Sequence, residues 1–121
     1  MNRNISEVVK MKDFKYAVIK ALLPHIILSE LSAEPRHGYA IICAMRKKHQ
    51  VYFGPSTIYP MLNELERDGL IKSQWNMGYE GMRPRKTYKV TSKGHMFLVQ
   101  TEVTLRAEQI ISKTIVPVEA V

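Results

Sequence analysis

Apolar positions recur along this chain with two different periods, and the period alone divides it into helices and strands. Between Ser6 and Leu22 the apolar side chains Val8, Met11, Phe14, Val18 and Leu22 follow one another at three- and four-residue spacing, the signature of an amphipathic helix. Ser6 is placed to cap its start. Pro24 suits the first turn of a second helix, which buries Ile27, Leu28 and Leu31 before Glu34-Pro35 closes it near Ala33. A third helix opens at His37-Gly38-Tyr39 and runs to about His49, with Ile41, Ile42 and Met45 on its core side. The stretch Gly54 to Leu70 predicts a fourth. Pro55 fits its first turn, Ile58, Leu62 and Leu65 form a narrow apolar seam, and Asp68-Gly69 ends it.

The period then changes to two. From Leu70 to Met77 the residues Ile71, Ser73, Trp75 and Met77 fall on one side and Lys72, Gln74 and Asn76 on the other. Thr87 to Thr91 alternate likewise, with Tyr88 and Val90 inward, and Trp75 is expected in the core of the hairpin. Gly78 to Lys86 joins the two runs through two glycines and a proline and carries Arg83, Arg85 and Lys86, so the hairpin has an extended basic tip. Thr91 is placed to cap a last helix from Ser92 to about Lys113, on which Met96, Val99, Val103 and Ile110 recur at heptad-like spacing.

Three helices followed by strand, basic loop and strand describe a winged helix-turn-helix: mainly α with a small β-hairpin, an α+β fold, with an extra helix at each end. The divisions expected are an N-terminal helix over residues 1–22, a winged-helix domain over 23–91, and a C-terminal helix with a frayed tail over 92–121. The stripes on the two terminal helices (Val8, Met11 and Phe14; Met96, Val99, Val103 and Ile110) can be buried only against each other or against a second copy. They are read as a homodimerisation surface.

Composition narrows the picture. A chain of 121 residues is one domain's worth, and 45% hydrophobic with 24% charged residues is an ordinary globular balance. The net charge is +7, and residues 36–93 carry the whole surplus, with eleven Lys/Arg against four Asp/Glu. A segregated excess points to a polyanionic partner. The lone Cys43 excludes an intrachain disulfide; among Ile41, Ile42 and Met45 it is expected to be a buried, inert thiol. With no signal-peptide pattern and no apolar run long enough to span a bilayer, a cytoplasmic address is expected, with no membrane partner. The histidines, at 25, 37, 49 and 95, are too dispersed for a metal motif, and His37 is expected to hydrogen-bond locally at the start of its helix. No nucleophile–base pair or phosphate-cradling glycine loop is present, so neither catalysis nor a cofactor is expected.

The fourth helix is the natural DNA reader. Base edges in the major groove are read from the first turns of a recognition helix. Here Ser56, Thr57, Tyr59, Pro60 and Asn63 occupy that end, with Arg67 toward the other. Lys72, Arg83, Arg85, Lys86 and Lys89 on the hairpin supply cations for the phosphate backbone. The cluster Arg46, Lys47, Lys48 and His49 lies in the last turn of the third helix, where the helix dipole already favours cations. A winged helix can also serve as a protein–protein module without specific DNA binding; that alternative would usually lack the basic tip. RNA binding would usually bring exposed aromatic pairs on a sheet.

Three blocks also resemble the PadR-like transcriptional regulators: His37-Gly38-Tyr39-Ala40-Ile41; Gly54 to Leu62 with Leu65-Glu66 and Asp68-Gly69-Leu70-Ile71; and Arg85-Lys86-Thr87-Tyr88 with Val90-Thr91 and Lys93-Gly94. These run in order over about residues 23–98. The resemblance implies a homodimer formed through the terminal helices, binding double-stranded DNA at a palindromic operator, usually as a repressor and sometimes relieved by a small-molecule effector. In some small members an aromatic residue on the last helix builds a drug-binding pore; here that helix has none after Phe97.

Overall fold

A computed structural model describes residues 2–108, with side chains from Lys10 onward. Five helices and three strands follow in the order α1 (Asn2–Ala21), α2 (Leu23–Ala33), β1 (Arg36–His37), α3 (Gly38–His49), α4 (Pro55–Arg67), β2 (Ile71–Asn76), β3 (Arg85–Val90) and α5 (Ser92–Ala107). The sheet is antiparallel with the order β1-β3-β2. The described part of α1 starts before Ser6, so Ser6 is interior rather than a cap. Among the described residues, no single helix is long and apolar enough to cross a membrane.

One core holds α2, α3, α4 and the base of the hairpin together. Leu23, Ile27, Leu28, Ile41, Met45, Ile58 and Leu62 are fully buried there, with Phe53, Leu31 and Ile71 almost so. α1 stands apart from it. From Lys10 to Val18 each of its residues is exposed, and the helix is bent 60° from α2 at their junction. Ile19 packs against the core, and the Tyr16 ring lies 4.8 Å from that of Phe53, centroid to centroid.

The turn after α4 fixes that helix relative to the hairpin. Gly69 adopts φ +78°, and its N–H bonds the Glu66 carbonyl at 2.9 Å while the Leu70 N–H bonds the Leu65 carbonyl at 2.9 Å. This is a complete Schellman closure, and it drives Leu70 back into the core against Leu65. Thr91 then ties the start of α5 to the same turn. Its hydroxyl donates to the Gly69 carbonyl at 2.7 Å and accepts from the Gly94 N–H at 3.0 Å, the cap expected for the last helix. A Cβ at Gly94 would stand 2.1 Å from the Leu70 carbonyl oxygen, so only glycine allows α5 this close.

Two further expectations fail. Trp75 is 59% exposed and Met77 76%, because the hairpin projects past its last covering element after Ser73; the alternation is real but nothing lies over its outer end. Cys43 is exposed as well. Helical geometry places it about 200° around α3 from Ile41, on the side of Tyr39 and Lys47 rather than the core.

Candidate nucleic-acid interface

α4 buries Ile58, Leu62 and Leu65 and leaves the rest of its girth open. Ser56, Pro60, Asn63 and Arg67 are exposed, Thr57 is half-buried, and Tyr59 is 38% exposed. Pro60 has no N–H to give the Ser56 carbonyl four residues back, so the first turns of α4 keep a backbone acceptor outside the helical ladder. The Tyr59 ring folds over the start of α3: a Cβ on Gly38 would lie 2.5 Å from that ring. Glycine in the His37-Gly38-Tyr39 block therefore admits the α4 tyrosine.

The hairpin sets its two faces to different tasks. Pairing of Ser73 with Tyr88 and of Trp75 with Lys86 puts these four on the face toward α4. Lys72 opposite Lys89, and Asn76 opposite Arg85, belong by register to the other face, although Arg85, at the start of β3, also borders the cleft between the hairpin and α4. Ser73 locks the first face to α4: its hydroxyl and its backbone N–H both donate to the Glu66 carboxylate, at 2.7 Å each. These bonds, the hydroxyl's first and aided by nearby Lys86, hold the Glu66 carboxyl below its usual range despite partial burial.

Between α4, the start of α3 and the inner hairpin face lies a cleft of about 540 Å³. His37, Tyr39, Tyr59, Asn63, Trp75, Arg85, Lys86 and Tyr88 line it, and no carboxylate does. The Lys86 ammonium lies 5.3 Å from the centre of the Trp75 ring. Burial, with Tyr59 and Glu66 nearby, raises the Tyr88 phenol, and hydrogen bonding to Cys43 raises that of Tyr39, so both remain neutral donors. His37 does not cap its own helix. Its Nδ1 donates to the Lys86 carbonyl at 3.1 Å, forty-nine residues away, clamping β1 to the wing strand.

Of the residues expected to meet DNA, the structure thus gathers Tyr59, Asn63, Arg85 and Lys86 around one cleft. Ser56, Thr57 and Pro60 lie at the same end of α4, and Arg83 stands exposed in the loop beyond. Lys72 and Lys89 sit on the opposite hairpin face, beside a second hollow of about 520 Å³, and Arg67 lies at the far end of α4. His37, Tyr39, Trp75 and Tyr88 were not expected in the cleft. His37 and Tyr39 belong to one of the resembling blocks, which was the available signal; the others depend on strand register.

The terminal helices are equally plain. Met11 and Phe14 on α1 are 65% and 64% exposed, and Met96, Val99 and Val103 on α5 are 65%, 61% and 61%. The Val8 side chain and Ile110 lie outside the described residues. α5 meets α2 through His25, whose Nδ1 lies 2.7 Å from the Thr101 hydroxyl, and beside this contact an apolar hollow of about 240 Å³ opens between Leu22, Pro24, Phe97 and Leu105. At the end of α3, Lys48 is committed to structure: it reaches the buried Glu30 carboxylate at 2.5 Å, and Arg36 approaches the same carboxylate at 3.6 Å.

A helix with an open polar end, a basic hairpin beside it and an acid-free cleft between them define a winged helix-turn-helix of the nucleic-acid-binding class. The transcriptional regulator PadR-like family matches residues 27–100, and the chain belongs to that family. It is a PadR-family transcriptional regulator. Among solved structures it is similar to a PadR-like transcription factor from Bacteroides fragilis, at 30% identity and a TM-score of 0.69, over 86% of this chain and 99% of that one. A PadR family transcriptional regulator from Eggerthella lenta is 28% identical with a TM-score of 0.73, over 87% and 88%. Bacillus subtilis PadR, solved in complex with operator DNA, shares the fold at 24% identity and a TM-score of 0.61, over 75% of this chain and 59% of that one. No curated protein sequence matches the chain significantly.

Proposed function

We propose that this protein is a homodimeric repressor that binds a palindromic operator in double-stranded DNA in the cytoplasm. The observation that carries the DNA reading is the acid-free cleft bearing Arg85 and Lys86, flush with the exposed first turns of α4. In this reading Ser56, Thr57, Tyr59, Pro60 and Asn63 meet base edges and nearby phosphates, while Arg67, Lys72, Arg83, Arg85, Lys86 and Lys89 track the backbone. The complex of Bacillus subtilis PadR with operator DNA supports the same use of the fold.

The homodimer rests on the exposed apolar faces. Met11 and Phe14 on α1 with Met96, Val99 and Val103 on α5 form the interface. A dimer matches a two-fold operator, with half-sites about 34 Å apart for one helical turn. A small apolar effector that relieves repression would fit the hollow beside His25 and Thr101.

Selection of bound duplexes from genomic fragments tests the proposal. Enriched sequences should contain inverted half-sites about one or two turns apart. Salt-insensitive binding with no enriched sequence would instead favour a protein–protein module.

A further inference from the structure

We infer that the main-chain carbonyl of Ser56, deprived of its helical donor by Pro60, reads an exocyclic amino group of adenine or cytosine. The inference rests on the reading of α4 as the helix that enters the major groove. It adds to that reading one atom, one class of base and the residue that creates the reader.

A carbonyl inside an α-helix receives the N–H four residues ahead. For Ser56 that residue is Pro60, inside α4, whose nitrogen carries no hydrogen. Nothing nearby makes up the shortfall. Gly54, two residues earlier, accepts from both Thr57 and Ile58 at 3.0 Å, but among the described residues no N–H from outside the helix reaches the Ser56 oxygen. No described side chain donates to it either.

Position decides what this acceptor can meet. At about 100° per residue, Ser56, Pro60, Asn63 and Arg67 form one stripe along α4, and all four are exposed. The stripe lies opposite the seam of Ile58, Leu62 and Leu65 that is sunk in the core. It is therefore the part of α4 that goes deepest into a groove, and Ser56 and Pro60 stand in the first two turns, from which base edges are reached. In the free protein the oxygen is left to water. Docking strips that water away, and an acceptor buried without a donor is costly. On the major-groove edges only adenine N6 and cytosine N4 offer donors; guanine O6 and thymine O4 would set acceptor against acceptor. The oxygen is held by the backbone, so it discriminates without the rotamer ordering that the Ser56 hydroxyl would undergo.

The test couples protein to base. In the operator selected by the native protein, each adenine of a half-site is replaced in turn by purine, which lacks the N6 amino group, and each cytosine by 2-pyrimidinone, which lacks N4. Pro60→Ala returns an N–H to the Ser56 carbonyl, and alanine suits a helix interior, so circular dichroism should show the fold intact. At one position the amino deletion should weaken binding of the native protein about tenfold and leave that of Pro60→Ala unaltered. Pro60→Ser restores the same N–H and should behave like Pro60→Ala. Ser56→Ala keeps the carbonyl and should keep the amino-group penalty. Equal penalties in the native protein and Pro60→Ala at every position would overturn the inference. So would loss of the penalty in Ser56→Ala, which makes the hydroxyl the reader. A difference that follows replacement of thymine by uracil rather than removal of an amino group assigns the contact to the proline ring, and overturns it too. A native protein that selects no sequence is a separate result: it sinks the operator reading itself, and this reader with it.

Discussion

α4 and α5 are helices of similar length in one small fold, and they use their surfaces in opposite ways. α4 sends its apolar seam, Ile58, Leu62 and Leu65, into the core and shows a polar face outside. α5 is held at its first turn by Gly94 and Thr91 and half-buries Phe97 and Leu98, yet keeps Met96, Val99 and Val103 more than 60% exposed. The first helix is complete within one chain. The second has apolar surface left over, as does α1, and such surface is stable in water only when another surface covers it. The core therefore fixes α4 and the base of the hairpin, and the apolar surface left uncovered lies on the two terminal helices.

The sharpest break of that contrast comes from truncating each seam. Leu62→Ala empties a fully buried position and should lower unfolding free energy by about 2–5 kcal/mol, read from urea denaturation. Val103→Ala should leave the unfolding of the monomeric domain nearly unchanged. Equal losses would mean that α5 is part of the same core and that the two helices do not differ in kind.

A charge tests what covers α5. Val103→Asp should weaken self-association on the order of tenfold or more in sedimentation equilibrium, because an unpaired carboxylate would be buried in the apolar interface. The recognition face lies on other elements, so binding to a single half-site should survive. A native protein that sediments as a monomer at every concentration would remove the dimer from the account.

The same contrast explains what could be read from the residues alone. The seam of α4 was legible because three apolar positions at helical spacing, a proline at the start and Asp68-Gly69 at the end agree with one another. The apolar stripes of α1 and α5 were legible for the same reason, and among the described residues no element covers them. Trp75 misled because alternation says which face a residue is on but not whether anything lies over that face. Cys43 misled because neighbours in sequence were taken for neighbours in space. Two-residue β1 gave no periodic signal at all; it exists through its pairing with Tyr88 and Thr87, some fifty residues away. His37 followed it across to the wing, so the cleft, assembled from α3, α4 and β3, was invisible until the strands were in register.

The wing provides the electrostatic side of the comparison. Replacing Arg83, Arg85 and Lys86 together with alanine removes three cations, and the slope of log affinity against log salt should fall by about 3 per protomer if each meets one phosphate. Binding should weaken on every duplex to a similar degree. Thr57→Ala, by contrast, should lose affinity on the selected operator, on the order of 1–3 kcal/mol, and little on random DNA. An unchanged salt slope in the triple variant would take the wing out of the interface.

Glu66 joins α4 to the hairpin and gives the smallest effect. Its carboxylate accepts from both the hydroxyl and the backbone N–H of Ser73, so the folded state holds the proton more weakly than an unfolded chain, whose glutamate titrates near 4.5. A depressed folded value contributes stability that is present above the unfolded value and is lost as pH falls through the folded one. Native stability should therefore decline on acidification below about pH 4.5, while Glu66→Gln, which keeps an acceptor but cannot ionise, should show a shallower decline and a loss of about 1 kcal/mol at neutral pH. Because Ser73 is the first residue of the inner face of β2 beyond the buried Ile71, the wing should loosen from α4 before the core unfolds. Amide exchange would show this as earlier loss of protection at Ser73 and Tyr88 than at Leu62. Simultaneous loss at all three would mean that the Glu66 contact is incidental and that the wing is held by the core alone.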